Sequence, residues 1–276
     1  MSKENTAVTK KKIKRCKEDV VFDAACFIIL TLVLFVVAYP LYWVIISSIS
    51  APSAVSSGKV LLHPIGFTLK GYAEVFKNDQ VMRGFLNSLI ITFCGVMVNL
   101  IVTLPTSYAL SRSNFSGKKP ITIFYLITMF FGGGLIPTYL VIQRLQMLNT
   151  IWALILPGCL SVYNMIVART FFKSNISEEL YEAAEIDGCT QARFFFQIAL
   201  PLSKAIIAIL VLYYGVGHWN SYFSALVYIS DKAKYPLQLV LRNILITNQT
   251  ALSQTATTAA ARAALQEKQQ LIDVMK

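Results

Sequence analysis

The chain has 276 residues, 55% of them hydrophobic and only 14% charged, with a mean hydropathy of +0.58. Soluble domains carry about 25% charged residues, so a chain this poor in charge sets its surface against lipid instead of water. The formal net charge of +11 does not point to nucleic acid, because seven of the 25 Lys and Arg residues precede residue 18 and the rest are scattered between apolar runs.

A helix needs about 20 mainly apolar residues to cross the roughly 30 Å hydrocarbon core, where every backbone amide must be satisfied internally. Residues 1–20 form a basic tail with Lys10, Lys11, Lys12, Lys14, Arg15 and Lys17, and five apolar stretches follow. The first runs from about Val21 to Ile49, with a kink expected at Pro40. After a loop over 50–84, the second runs from about Phe85 to Leu110 and the third from about Ile121 to Ile142. Gly132, Gly133 and Gly134 interrupt the third, which reads as close helix packing or local unwinding ahead of a ligand site. The fourth runs from about Ile151 to Phe172 and the fifth from about Leu202 to Ile229. The expected fold is all-α: a polytopic transmembrane bundle over residues 21–229.

Short basic segments stay in the cytoplasm. That rule puts the N-terminus, the 112–119 loop with Lys118 and Lys119, and the 173–201 loop inside, and the 50–84, 143–150 and 230–276 segments outside. The first span is too long for a cleavable signal peptide and should anchor the protein. No sixth run follows Ile246, so five spans leave residues 230–276 outside, and the natural chain is expected to continue past Lys276 into a sixth span.

Enzyme signatures are missing. Gly117-Lys118 lacks the glycine and Ser/Thr spacing of a phosphate-binding loop, and His63 and His218 fit no metal motif. Cys16, Cys26, Cys94, Cys159 and Cys189 form no CxxC pair and read as structural. Acidic residues are nearly absent from within the spans, apart from Asp23 near the inner edge of the first, so an ion-coupled relay has little to work with. No catalytic residue and no metal ligand is assigned.

The 173–201 loop carries the strongest signal. Ser177 suits an N-cap, with Glu178 and Glu179 in the first turn, and a helix should run to about Asp187, with Gly188 at the left-handed position beyond its end. Leu180, Ala183, Ala184 and Asp187 fall on one side at helical spacing, and adjacent alanines let a partner backbone approach. The acid-rich polar face favours a protein partner over lipid headgroups.

Glu182-Ala183-Ala184, three residues, Gly188, nine residues, then Ile198-x-Leu200-Pro201 resembles the EAA loop of ABC importer permeases. Further segments are similar to the maltose-type carbohydrate-uptake branch: Asn87-Ser88-Leu89, Tyr108-Ala109-Leu110-Ser111-Arg112, Gly133-Gly134-Leu135-Ile136-Pro137, Trp152-Ala153, Asn164 to Phe172, His218-Trp219-Asn220 and Tyr235 to Arg242. The resemblance spans about residues 22–246 and is strongest to permeases for complex oligosaccharides such as aldouronate or alginate fragments. Ser177 stands where the family usually has Pro, and five spans stand where it usually has six.

The resemblance implies a type I ABC importer permease subunit, multi-pass in a bacterial plasma membrane, that moves an oligosaccharide. It also implies a second permease, two cytoplasmic ATPase subunits that bind ATP and Mg, and an external solute-binding protein, with no cofactor in this chain. Glu182, Ala183, Ala184, Asp187, Gly188, Ile198, Leu200 and Pro201 would couple it to the ATPases. Apolar burial of Leu180, Ala183 and Ile186 should carry much of that docking. Trp219, Asn220 and Tyr222 are candidates for the sugar path, since aromatic faces and amides suit sugars, although they equally suit helix packing or the outer interface. The rival reading is an ATP-independent carrier or channel for a small polar solute.

Overall fold

The computed structural model describes residues 17–247, and every regular element among them is helical. These residues form two compact units divided between Lys77 and Asn78.

The first unit opens with α1 (Lys17–Ser48), 32 residues that continue through Pro40 without a break. At about 1.5 Å per residue such a helix exceeds the hydrocarbon thickness. Phe22, Phe27, Leu30, Leu34, Phe35 and Val44 are all exposed, so the helix is apolar on every side, as lipid requires. The expected loop over 50–84 instead holds α2 (Pro52–Ser56) and α3 (Lys70–Lys77), and its last residues belong to the next helix. Trp43 Nε1 donates to the Val60 carbonyl at 2.8 Å, folding that segment back over a small core of Ile46, Ala54 and Val60.

The second unit is built on α4 (Asp79–Ser111), which starts ahead of the expected Phe85 because Asn78 Oδ1 accepts from Gln80 and Val81 N–H at 3.0 and 3.3 Å. Next come α5 (Lys118–Phe130) and α6 (Leu135–Arg144), bent by 113° at the glycine triplet, where Gly134 takes φ +83°. The fourth expected span is likewise two pieces. α7 (Trp152–Ile155) and a 3₁₀ turn (Leu156–Gly158) meet α8 (Val162–Asn175) at 52°. Then follow α9 (Glu178–Ile186), α10 (Gln191–Phe194), a π turn (Phe195–Ala199) and α11 (Leu200–Leu202). The fifth span is not continuous over 202–229. α12 (Lys204–Trp219) turns 80° from the preceding helical segment, and α13 (Tyr222–Tyr228) is separate. Alone, α1 and α4 are long and apolar enough to cross a membrane, and by length and composition there are up to five crossings among the described residues if each bent pair serves as one.

Residues 230–247 hold a 3₁₀ turn (Lys232–Lys234) and α14 (Leu237–Thr247), fastened to the start of α4. Asn87 Nδ2 donates to the Ala233 and Tyr235 carbonyls, and Leu237 N–H donates to Ser88 Oγ at 2.8 Å. The remainder of that segment, residues 248–276, and the tail before Lys17 lie outside the described residues. The core sits around α4: Leu104, Tyr108, Ala168, Phe172, Phe194, Ile206 and Leu210 form one buried cluster, and Ile91, Ile142, Leu154, Tyr228 and Leu239 another.

Candidate functional site

The segment that resembles the EAA loop forms one short, doubly capped helix. Ser177 Oγ accepts from Leu180 N–H at 3.3 Å, filling by side chain the position where the family usually has Pro. At the other end Gly188 takes φ +74°, Gly188 N–H donates to the Glu185 carbonyl at 3.0 Å, and Cys189 N–H donates to the Ala184 carbonyl at 2.9 Å. Those two bonds make a Schellman stop, which needs a residue free to adopt positive φ.

Its seat is aromatic and charged. Tyr181 is 5% exposed and meets Phe194 edge-on at 5.3 Å, while Arg112, at the end of α4, lies over the Tyr181 ring at 4.2 Å. The same guanidinium pairs with Glu178 at 2.5 Å, and Ser113 N–H donates to the other carboxylate oxygen at 3.1 Å. Hydrogen bonding from Ser113, then the Arg112 and Lys118 charges, hold the Glu178 carboxyl below the ordinary carboxylate range against the opposing effect of partial burial. Ala184, expected on the outward face with Ala183, instead packs inward against the core, as do Cys189, Ile198 and Leu200. The outward face carries Leu180, Ala183, Ile186 and Asp187, with Ile186 87% exposed; Glu182, Gly188 and Pro201 are also exposed.

A second polar locus was not singled out in the sequence. Cys159 to Ser161 separate the two halves of the fourth span, and the freed Gly158 carbonyl accepts from Asn99 Nδ2 at 2.7 Å. Asn99 Oδ1 then faces His218 Nε2 at 2.7 Å, so that nitrogen carries the donated proton. Gly95 makes room for this pair, since a Cβ there would fall 2.5 Å from His218 Nε2. The Tyr214 hydroxyl joins Thr103 Oγ1 at 2.7 Å and accepts from Ser161 N–H at 3.3 Å. Beside these groups lies a cavity of about 310 Å³ lined by Gly158, Ser161, Asn164, Tyr213, Tyr214, Gly217 and His218. The signal was available, as an Asn and a His within apolar spans face the bundle interior.

Trp219, Asn220 and Tyr222 are not gathered into one site. Trp219 meets Phe85 edge-on at 6.0 Å, Asn220 Nδ2 donates to its own helix at the Val216 carbonyl, and Tyr222 lies under Arg242. None of the three lines the cavity. Among the described residues no cluster of three or more His, Cys, Asp or Glu could hold a metal ion.

Apolar helices broken around a buried polar seam, with one capped helix seated at the edge of the core, make a polytopic helical membrane protein. No protein-family model matches the chain. It is 38% identical over 225 residues to the polygalacturonan/rhamnogalacturonan transport system permease protein YtcP of Bacillus subtilis (strain 168), covering 82% of this chain and 78% of that one. It is 39% identical over 226 residues to protein LplC of the same organism, covering 82% and 76%. The crystal structure of a bacterial ABC transporter involved in the import of the acidic polysaccharide alginate matches with a TM-score of 0.79 at 28% identity, over 84% of this chain and 82% of that one. The chain therefore belongs to the carbohydrate-uptake family of ABC importer permease subunits, and it is a transporter component and not an enzyme.

Proposed function

We propose that this chain is one of two membrane-spanning subunits of a bacterial plasma-membrane importer, driven by two cytoplasmic ATPase subunits and fed by an external solute-binding protein. The N-terminus and the 112–119 and 173–201 loops face the cytoplasm, following the basic residues of the tail and of the first loop. ATP and Mg belong to the ATPase subunits. Relatives named for polygalacturonan/rhamnogalacturonan and alginate favour polysaccharide fragments as cargo. The sugar path runs along the fifth span, with Trp219, Asn220 and Tyr222 at one end of it.

The observation that carries this reading is the mounting of α9. The helix is capped at both ends, clamped to α4 through Arg112 and Glu178, and turns Leu180, Ala183 and Ile186 outward. A clamped helix with an apolar outer face transmits force from whatever binds it. Glu182, Ala183, Asp187 and Gly188 shape that face and its stop, and Ala184, Ile198, Leu200 and Pro201 tie it to the bundle. The test is ATP-driven oligosaccharide uptake by the reconstituted complex with Gly188→Val or Glu182→Ala. A Cβ-branched residue at positive φ costs about 1–2 kcal/mol, so uptake should fall sharply while the protein stays in the membrane. Intact uptake in both variants would show that α9 does not couple.

A further inference from the structure

We infer that the segment from Lys59 to Lys77, which follows α1, is a lipid anchor: Val60 to Leu62 reach the boundary of the hydrocarbon, and α3 lies along the headgroups with its apolar side toward phospholipid. This placement goes beyond the import reading and requires only that α1 crosses the bilayer. That the leaflet is the outer one follows from the cytoplasmic N-terminus proposed above.

Depth is the first ground. Asp23 is the last charged residue of α1, and the roughly 30 Å of hydrocarbon takes about 20 residues from there, so its far boundary falls near Trp43. Tyr39, Tyr42 and Trp43 are therefore placed as the aromatic belt of this span. Each donates to the backbone of the segment that follows. Tyr39 Oη donates to the Leu61 carbonyl at 3.4 Å, Tyr42 Oη to the Leu62 carbonyl at 2.5 Å, and Trp43 Nε1 to the Val60 carbonyl at 2.8 Å. Helical side chains lean toward the N-terminus, so these donors lie no nearer the end of α1 than their own turns do. Tyr39 stands about 13 Å along the axis from Ser48, the last residue of α1, and the chain has come back by that distance.

Hydrogen bonding and charge select lipid as the occupant. Irregular backbone at membrane depth needs its polar groups satisfied. Three consecutive carbonyls find protein donors here, whereas the Leu61, Leu62 and His63 N–H groups have no acceptor among the described residues. Phospholipid ester and phosphate oxygens are acceptors, so the interface supplies what these amides lack, and the belt supplies the donors that ester oxygens cannot. Leu61, Leu62 and Phe67 are 60%, 67% and 71% exposed. In α3, Tyr72, Ala73 and Phe76 share a side with the preceding Leu69, Lys70, Glu74 and Lys77 share the other, and no residue of the helix is buried. The Tyr72 hydroxyl meets Ser48 Oγ at 2.9 Å, which holds α3 level with the end of α1, about 7 Å beyond Trp43, in the layer where amphipathic helices lie. Between Asp23 and Glu74 the chain has no acidic residue, and Lys59 and Lys70 border the apolar surface, as a phosphate layer favours.

The experiment places p-benzoylphenylalanine, whose photoexcited ketone inserts into nearby C–H bonds, singly at Ile29, Leu62, Glu74 and Phe76. The complete complex sits in proteoliposomes of phosphatidylethanolamine and phosphatidylglycerol carrying tritium in their acyl chains. Ile29, exposed within α1, sets the yield for a lipid-facing position. Leu62 and Phe76 should label lipid within about threefold of Ile29, and Glu74, on the polar side of the same helix, about fivefold less than Phe76. Lipid adducts at Ile29 with none at Leu62 and Phe76 overturn the inference. Adducts of Leu62 and Phe76 with the second permease or the solute-binding protein in place of lipid overturn it too, and give the surface to a protein. No lipid adduct at Ile29 removes the crossing of α1 and the anchor together. Leu62→Asp supplies a second measurement: at so exposed a residue the change is nearly neutral in water and costly only in lipid. The melting temperature of the complex in nanodiscs should fall for Leu62→Asp and hold for Leu62→Phe. An unchanged value for Leu62→Asp overturns the inference.

Discussion

Replacing Ile186 by alanine tests the proposed docking of α9 on the ATPase subunits. Ile186 is 87% exposed, so the change leaves the core of the subunit intact, and any effect must come from what covers the residue. Truncation removes about three methylene-sized groups at ~0.8 kcal/mol each, or about 2 kcal/mol once scaled by that exposure, a roughly 30-fold weaker Kd. Leu180 is 39% exposed, so Leu180→Ala should cost under about 1 kcal/mol on the same scale. The assay is a titration of the ATPase subunits against the permease pair in nanodiscs, with melting temperature as the folding control. Ile186→Leu, similar in volume, should stay within about threefold of native. A Kd for Ile186→Ala within twofold of the native value, with an unchanged melting temperature, would refute apolar docking through this face.

Gly95→Ala should lower the melting temperature of the complex, because the new Cβ would sit 2.5 Å from His218 Nε2 and displace the ring from Asn99; the cost is about 1–3 kcal/mol, read by thermal unfolding. Glu178→Gln should change the acid limb of stability. The folded carboxyl lies below the ordinary value, so its contribution is complete above about pH 4.3, the unfolded value, and is lost as pH falls through the lower folded one. With the Glu178 side chain 44% exposed the effect stays under about 1 kcal/mol, and protease resistance of the 173–201 segment between pH 7 and pH 3 should decline less steeply in the variant.

The apolar runs were legible in the sequence and their shape was not. Hydropathy counts apolar residues: two of its runs are long helices, the third and fourth are bent pairs, and the pair that would make a fifth crossing starts at Gln191, ahead of the expected Leu202, and ends at Trp219, leaving α13 outside it. Within the third run the glycine triplet announced its break, but the break in the fourth is set by Pro157 and by Asn99 reaching across to the Gly158 carbonyl, a contact between residues far apart in the chain. Ser177 and Gly188 were legible because caps depend on local geometry alone. The direction of Ala184 was not, since the spacing that groups it with Ala183 does not say on which side the bundle lies. Trp219 to Tyr222 drew attention as polar and aromatic residues, while His218, the residue immediately before them, is the one that reaches the cavity.

The position of Arg112 gives α4 the geometry of a beam. Its clamp on Glu178 and Tyr181 sits at one end of the helix, and Asn99 lies thirteen residues away, about 20 Å along the axis at 1.5 Å per residue. A stiff beam would carry any tilt of its end undiminished to that point. Pro105 lies between the two and has no N–H to return to the preceding turn, so the beam has a compliant section at that residue. A displacement applied at Arg112 would be absorbed there in part as bending, and what reached Asn99 would be smaller and reoriented. The stiffness of one turn of α4 thus sets the ratio between movement at the loop end and movement beside the cavity.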